Sequence, residues 1–256
     1  MQLGIGLGQT FGGADVSYGA RAAALAPSAW WRLDEAGGTT AADSSGNSQT
    51  ATYASAGITY RADMGHSRFG ATFDGNNTYV NIDTSINTFD DVWNGNLYSL
   101  VAWARVDGAS RWTDATTFRY PMHLRATDST YYTTMGKSTT SHQLSWRRRT
   151  GGVITELTYT FSPSGPTDEF CMGLTVDQSS PLMIAYLWDS VNGFREVARS
   201  TSANLTAWTG NPPQGGASVL AAGSLTLQEW IGSMRDAMVF SGRALTSAQM
   251  QSVMTP

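Results

Sequence analysis

The chain of 256 residues is 41% apolar and 11% aromatic but only 14% charged, with a formal net charge of −4. That balance offers little to attract nucleic acid or an anionic membrane, and no run of about 18 apolar residues is present to span a bilayer. A chain this long buries about 70–75% of its unfolded surface in one core. Its wealth of Gly, Thr, Ser and Asn over Glu and Lys suits strands and turns rather than long helices.

In chain order, residues 1–13 come first, with five glycines among Leu3, Ile5, Leu7 and Phe11. Such a segment has no core of its own. It reads as an arm that docks on a partner through those four side chains, the competing reading being a strand or coil folded back on its own domain. It lacks the basic start and the long apolar run of a secretion signal. A short helix is expected within 15–30, with Asp15 as its cap, the alanines as its body and Pro27 as its stop. Runs rich in Val, Ile, Leu, Tyr and Trp then alternate with turn residues. They fall at 30–33, 71–75, 78–82, 98–106, 142–149, 153–161, 169–176, 182–188, 195–200, 217–223 and 233–240. Strands in this number with no long helix between them predict a sandwich or a barrel. Residues 107–132 show no clear pattern and read as an extended surface loop. Thr246 and Gln249 fit a capping box that opens a short terminal helix. Cys171, the single cysteine, lies in an apolar run and reads as a buried thiol.

Five stretches, in this order, resemble concanavalin-A-like and laminin-G-like jelly-roll domains. They are ALAPSAWWRLDEAGGTTAADSSGNSQTATY at 24–53, FGATFDGNNTYVNID at 69–83, YSLVAWARVD at 98–107, MGLTVDQSSPLMIAYLWDS at 172–190 and IGSMRDAMVFSGRALTSAQMQSVM at 231–254. The resemblance implies an all-β, two-sheet antiparallel sandwich with short N- and C-terminal helices. The sandwich would occupy 24–256, leaving 1–23 as the arm and the start of the first helix. Ser190 stands where the family usually has glycine, and the 107–132 segment is longer than the pattern leads one to expect. A glycine-rich start ahead of such a domain also resembles bacteriophage virion proteins.

Several site chemistries can be weighed. Asp43-Ser44-Ser45-Gly46-Asn47 gathers a carboxylate, hydroxyls and an amide, the oxygens that a hard Ca²⁺ prefers. The resemblance implies that the first and last strands are neighbours, which would bring Asp236 close. Asp43, Asn47 and Asp236 are therefore the candidate ligands of one structural Ca²⁺. The competing reading is an Asx turn in which Asp43 bonds its own backbone. Trp30, Trp31, Trp103 and Trp146 read as core. Trp93, Trp112, Tyr131, Tyr132 and Trp208 sit in loop-like contexts, where aromatic rings serve glycan contact, protein contact or loop packing. Arg147-Arg148-Arg149 is the one basic run. Strand alternation divides it between two faces, which reads as a solvated edge rather than an anion site.

Catalytic patterns are missing. Glycosidases of this sandwich fold resemble one another in a Glu-x-Asp-x(-x)-Glu strand, and none of Glu35, Glu156, Glu169, Glu196 or Glu229 has that neighbourhood. Asp34 and Glu35 are adjacent, so a strand would point them apart. There is no Gly-x-Ser-x-Gly elbow. His66, His123 and His142 lack zinc-ligand spacing, and GIGLGQTFGG lacks the strand and the Lys-Ser/Thr of a phosphate loop. The leading expectation is a non-enzymatic virion surface protein, a capsid decoration or tail component with glycan adhesion. It would be made in a host cytoplasm, oligomeric in its assembly and anchored to other virion proteins by the arm. The alternative is a free carbohydrate-binding module.

Overall fold

In β7 (Leu97–Val106), Leu100, Ala102, Ala104 and Val106 point to one buried cluster, while Val101 and Trp103 point to another. A strand buried on both faces needs an apolar layer on each side. The computed structural model describes residues 17–54, 57–82, 93–126, 130–201, 205–209, 218–222 and 228–256, and it supplies both layers. Among these residues, two antiparallel sheets of eight strands each form a sandwich.

The first sheet runs in the order β14 (Gly193–Ser200), β13 (Leu182–Asp189), β12 (Phe170–Asp177), β7, β16 (Gly232–Ser241), β5 (Arg68–Phe73), β4 (Ile58–Gly65). A short β1 (Ala29–Trp31) also pairs with β16, with Trp31 opposite Ala237. First and last strands are thus neighbours, as the jelly-roll pattern implied. The second sheet runs β11 (Val153–Thr160), β10 (Gln143–Thr150), β9 (Tyr132–Lys137), β8 (Arg119–Arg125), β15 (Val219–Leu220), β6 (Val80–Asn81), β3 (Ala51–Tyr53), β2 (Thr40–Ala41).

The space between the sheets is filled by Trp31, Phe73, Tyr98, Trp146, Phe170 and their apolar neighbours. Each such large side chain contributes about 1.5–3 kcal/mol on burial. The second cluster lies on the outer face of the first sheet. There α1 (Tyr18–Ala24) and α3 (Ser247–Met254) roof Trp103, Cys171, Tyr186 and Trp188. Gly173 on β12 allows α3 to sit low, since a Cβ there would lie 2.5 Å from Met250 Cε and Met254 Sδ. Arg21 ties the two helices together by donating to the carbonyls of Ser252 at 3.0 Å and Thr255 at 2.8 Å.

Three expectations need correction or limits. The cap of α1 is Ser17, whose Oγ accepts from Ala20 N at 3.3 Å; Asp15 lies outside the described residues, as do Leu3, Ile5, Leu7 and Phe11 of the arm. Because Tyr18 and Ala22 belong to the buried outer cluster, α1 packs as part of the sandwich rather than of the arm. Finally, the described residues of 107–132 do not form an extended surface loop. They include α2 (Ser110–Thr113) and β8, an interior strand of the second sheet. Pro121 and the scattered charges hid that strand. A proline has no N–H for the ladder, and here it falls where the pairing with β9 shifts register between Arg119 and Met122.

Candidate functional site

The β4–β5 hairpin closes through two residues, His66 and Ser67, because Gly65 pairs with Arg68. Both have positive φ, 51° and 57°, the backbone of a type I′ turn made without the usual Asn-Gly. Holding two L-residues there stores strain at the hairpin tip. The result is that the His66 imidazole, 47% exposed, hangs over Glu169, which is only 3% exposed. His66 Nδ1 donates to Glu169 Oε1 at 2.5 Å.

Glu169, just ahead of β12, meets a second partner from β16. Arg235 Nε donates to Glu169 Oε2 at 3.0 Å, and Arg235 NH1 to Asp236 Oδ2 at 2.6 Å. Arg235 and Asp236 are consecutive, so a regular strand would point them to opposite faces. A register shift between Arg235 and Met238 against β7, with φ of +47° at Asp236, places both on the outer face. The guanidinium of Arg235 lies 4.1 Å from the ring centroid of Trp103. Burial alone would lower its pKa, but Asp236 and Glu169 outweigh that and raise it. Asp236 also accepts from Trp30 Nε1 at 2.9 Å, and Arg68 stands 3.7 Å from its Oδ2. Buried Tyr18 beneath Arg68 has its pKa pushed up by burial and then by Asp236.

This chain of charges runs beneath the hairpin and links two clefts. One, of about 430 Å³, is lined by Asp63, His66, Arg105, Asp168, Glu169 and Ser190. The other, of about 350 Å³, is lined by Tyr18, Trp30, Arg32, Arg68 and Asp236. The larger cleft carries donors and acceptors together. Arg105 is held across its floor by donating to Asp63 O at 2.8 Å and Ser233 Oγ at 3.4 Å, while Asp63 and Asp168 are exposed. Such a rim can bind hydroxyl groups, which both give and accept hydrogen bonds.

The residues proposed from sequence are distributed as follows. Asp43 Oδ1 accepts from the backbone N–H of Trp30 at 3.0 Å and of Ser45 at 2.9 Å. Its Oδ2 accepts from Ser45 Oγ at 2.7 Å and Gln49 N at 2.9 Å. Asn47 donates its amide to the carbonyls of Pro27 and Ser28, both at 3.1 Å. Asp43 and Asp236 therefore grip Trp30 from its two ends, and each faces donors rather than the oxygens a hard cation needs. This donor set does not suit Ca²⁺. Among the described residues no group of three or more His, Cys, Asp or Glu side chains is placed to hold a metal.

Trp112 is fully buried against Phe161 and Phe170 and donates Nε1 to Pro166 O at 2.7 Å, so it packs the core rather than a surface. Trp208 is also buried. Trp93, Tyr131 and Trp208 do meet, with ring centroids 5.5 Å apart for Trp93–Trp208 and 5.6 Å for Tyr131–Trp208. They pin the 205–209 segment to the start of β7, where Asn96 pairs with the Trp208 backbone through bonds of 2.6 and 3.2 Å. Tyr132 stands apart, on the outer face of the second sheet. The basic run is split as alternation required: Arg148 turns inward to the carbonyls of Gly95 and Thr206, while Arg147 and Arg149 turn outward.

The sequence reading did not single out Glu169, Arg235, His66 or Arg68 as a unit. One signal was available: an Arg-Asp pair inside the otherwise apolar strand SMRDAMVF, a composition that needs a buried partner.

No family model and no curated protein matches this sequence. Solved structures do match its shape. The CBM40 module of the IT-sialidase of Ruminococcus gnavus, solved with α2,3-sialyllactose, superposes with a TM-score of 0.52 at 10% identity, over 69% of this chain and 92% of that one. The binding domain of botulinum neurotoxin serotype G gives 0.54 at 14% identity, over 89% of this chain and 50% of that one. The leech intramolecular trans-sialidase gives 0.51 at 10% identity, over 69% of this chain and 26% of that one. The fold is a concanavalin-A-like jelly roll. At these identities the likeness establishes the fold and nothing finer.

Proposed function

We propose that the protein is a non-enzymatic glycan-binding module and that the larger cleft beside the β4–β5 hairpin receives the sugar. The carrying observation is the cleft itself: about 430 Å³, with an imidazole, a guanidinium, exposed carboxylates and a serine converging on one space. That volume falls in the range of ligand sites. The fold likeness to a module solved with sialyllactose and to a toxin binding domain supports the same reading. Binding is favoured over hydrolysis because Glu169, the buried carboxylate of the cleft, has one oxygen engaged by His66 and the other by Arg235. Neither is free to protonate a glycosidic oxygen.

The virion-surface setting rests on the arm at 1–13, which lies outside the described residues, and the similar structures named above are not virion proteins. The free-module reading therefore stands ahead of it. A glycan array probed with the full chain identifies the preferred sugar. Calorimetric titration of that sugar into His66→Ala and Asp168→Asn variants should then show affinity reduced by about tenfold in each. An array with no captured glycan, or variants that bind as tightly as the original, would overturn the proposal.

A further inference from the structure

The outer face of the second sheet is built by register. Met122, Leu124, Met135, Leu144 and Trp146 face the core, so the alternate residues on β8, β9 and β10 face outward. Arg125 pairs with Tyr132, and Tyr132 with Arg149, giving one row across three strands. The next row is His123, Thr134, Arg147 and Glu156. Neighbours in such rows have Cβ atoms about 4.5–5.5 Å apart. Arg125 and Arg149 therefore flank the Tyr132 ring on either side.

The charges on this face do not balance. Arg147 is matched by Glu156 at 3.4 Å and covered by the Phe118 ring at 4.4 Å. Among the described residues Arg125 and Arg149 have no carboxylate partner, and the Nε of each is out of water without a hydrogen bond. His123, 6% exposed, lies 5.7 Å from the Tyr132 ring, and both its nitrogens are unpartnered. The hydroxyl of buried Thr134 beside it is unpartnered too. Buried polar groups are ordinarily satisfied. A face that presents two arginines without carboxylate partners among the described residues, beside an aromatic ring and unsatisfied imidazole and hydroxyl groups, suits a ligand with matching groups.

We infer that this face is a second binding site, for an acidic sugar whose anionic group is clamped between Arg125 and Arg149 over the Tyr132 ring. Guanidinium forks match carboxylate or sulfate oxygens. The ring offers a platform for the sugar's apolar face. Burial and then Arg125 lower the His123 pKa to about 3, so the imidazole is neutral at pH 7. Arg149, expected from sequence to be a solvated edge charge, is instead half-buried in this row. The site is separate from the His66 cleft and does not depend on it.

Calorimetric titration of the full chain with a glucuronate-containing oligosaccharide, its neutral glucose counterpart and sodium sulfate tests this. The glucuronate sugar should bind at least about tenfold more tightly than the neutral one, and more tightly than sulfate. Arg125→Gln and Arg149→Gln should each remove that advantage, while Arg199→Gln, at an exposed arginine on β14 of the other sheet, should leave it intact. Melting curves accompany each variant. If a glutamine variant melts early, Arg149→Lys, which keeps the charge but loses the fork, should show a smaller loss in the same direction. Equal binding of the two sugars, a glutamine variant of unchanged affinity, or sulfate binding as tightly as the glucuronate sugar would each overturn the inference. Loss of the advantage in Arg199→Gln would mean that overall charge rather than this face attracts the acidic sugar, and would overturn it as well.

Discussion

The two outer faces of the sandwich treat charge in opposite ways. On the first sheet, two helices roof the face, and the buried charges of its central network are paired: Glu169 with Arg235 and Arg235 with Asp236. On the second sheet, among the described residues, Arg125 and Arg149 have no carboxylate partner and His123 has no hydrogen bond. The first arrangement serves the fold, because a charge taken out of water is tolerated when its counter-charge goes with it. The second costs the fold something, since polar groups taken out of water without a partner are destabilising. Charge content alone would not distinguish the faces; pairing does.

Breaking the paired face should have the largest effect. Arg235→Met leaves Glu169 and Asp236 buried without their cation and should cost about 3–5 kcal/mol in denaturant unfolding. Replacing all three residues with apolar ones of similar size should recover most of that loss. If Arg235→Met costs less than about 1 kcal/mol, the network is not dry and the contrast fails.

The unpaired face should reveal itself through pH. The unfolded chain protonates His123 near its ordinary value of 6.5, whereas the folded chain does so only at about 3. Between those values the unfolded state holds the extra proton, so stability falls as pH is lowered through that window. The slope from this group is at most about 1.4 kcal/mol per pH unit. His123→Phe should flatten the curve of stability against pH between 6.5 and 3. An unchanged slope would mean that His123 is hydrated.

A smaller effect is expected at the Asp43 turn. Asp43→Ala removes the acceptor of four donors and should lower stability by about 1–3 kcal/mol, read from thermal or denaturant melts. The smallest effect concerns calcium. A ligand that binds only the folded chain raises its stability by about 2.7 kcal/mol at a hundred times its Kd. Since both carboxylates of the expected site face donors, adding millimolar Ca²⁺ or a chelator should leave the melting midpoint where it was. A clear rise with Ca²⁺ would reinstate the metal reading and turn Asp43 from a turn residue into a ligand.

Much of the architecture was legible in the residues. The apolar runs ending in Val106, Val176, Trp188 and Phe240 each became strands of the first sheet, and the Thr246–Gln249 box caps α3 as its spacing foretold. Where the pattern was weak, the reading stopped. β8 carries Pro121 among charges, and β9 begins Tyr-Thr-Thr, so neither shows an apolar face until its neighbours supply one. The polar flanks of Trp112 and Trp208 left ligand contact, protein contact and loop packing all open, and the structure buries both rings.

That the first and last strands would meet was implied by the jelly-roll resemblance; by itself, the sequence determined that strands would dominate and that Arg147-Arg148-Arg149 would divide between two faces. These follow from side-chain period and turn chemistry, which are local. Only the tertiary structure decided which charges are paired. Glu169 and Arg235 are far apart in the chain, as are Arg125 and Arg149, and their meeting depends on strand order, on a register shift at Asp236 and on a two-residue turn at His66. Register is a long-range property: slipping a strand by one residue would exchange its inner and outer faces. Whether a given arginine holds the fold or awaits a ligand is set at that level.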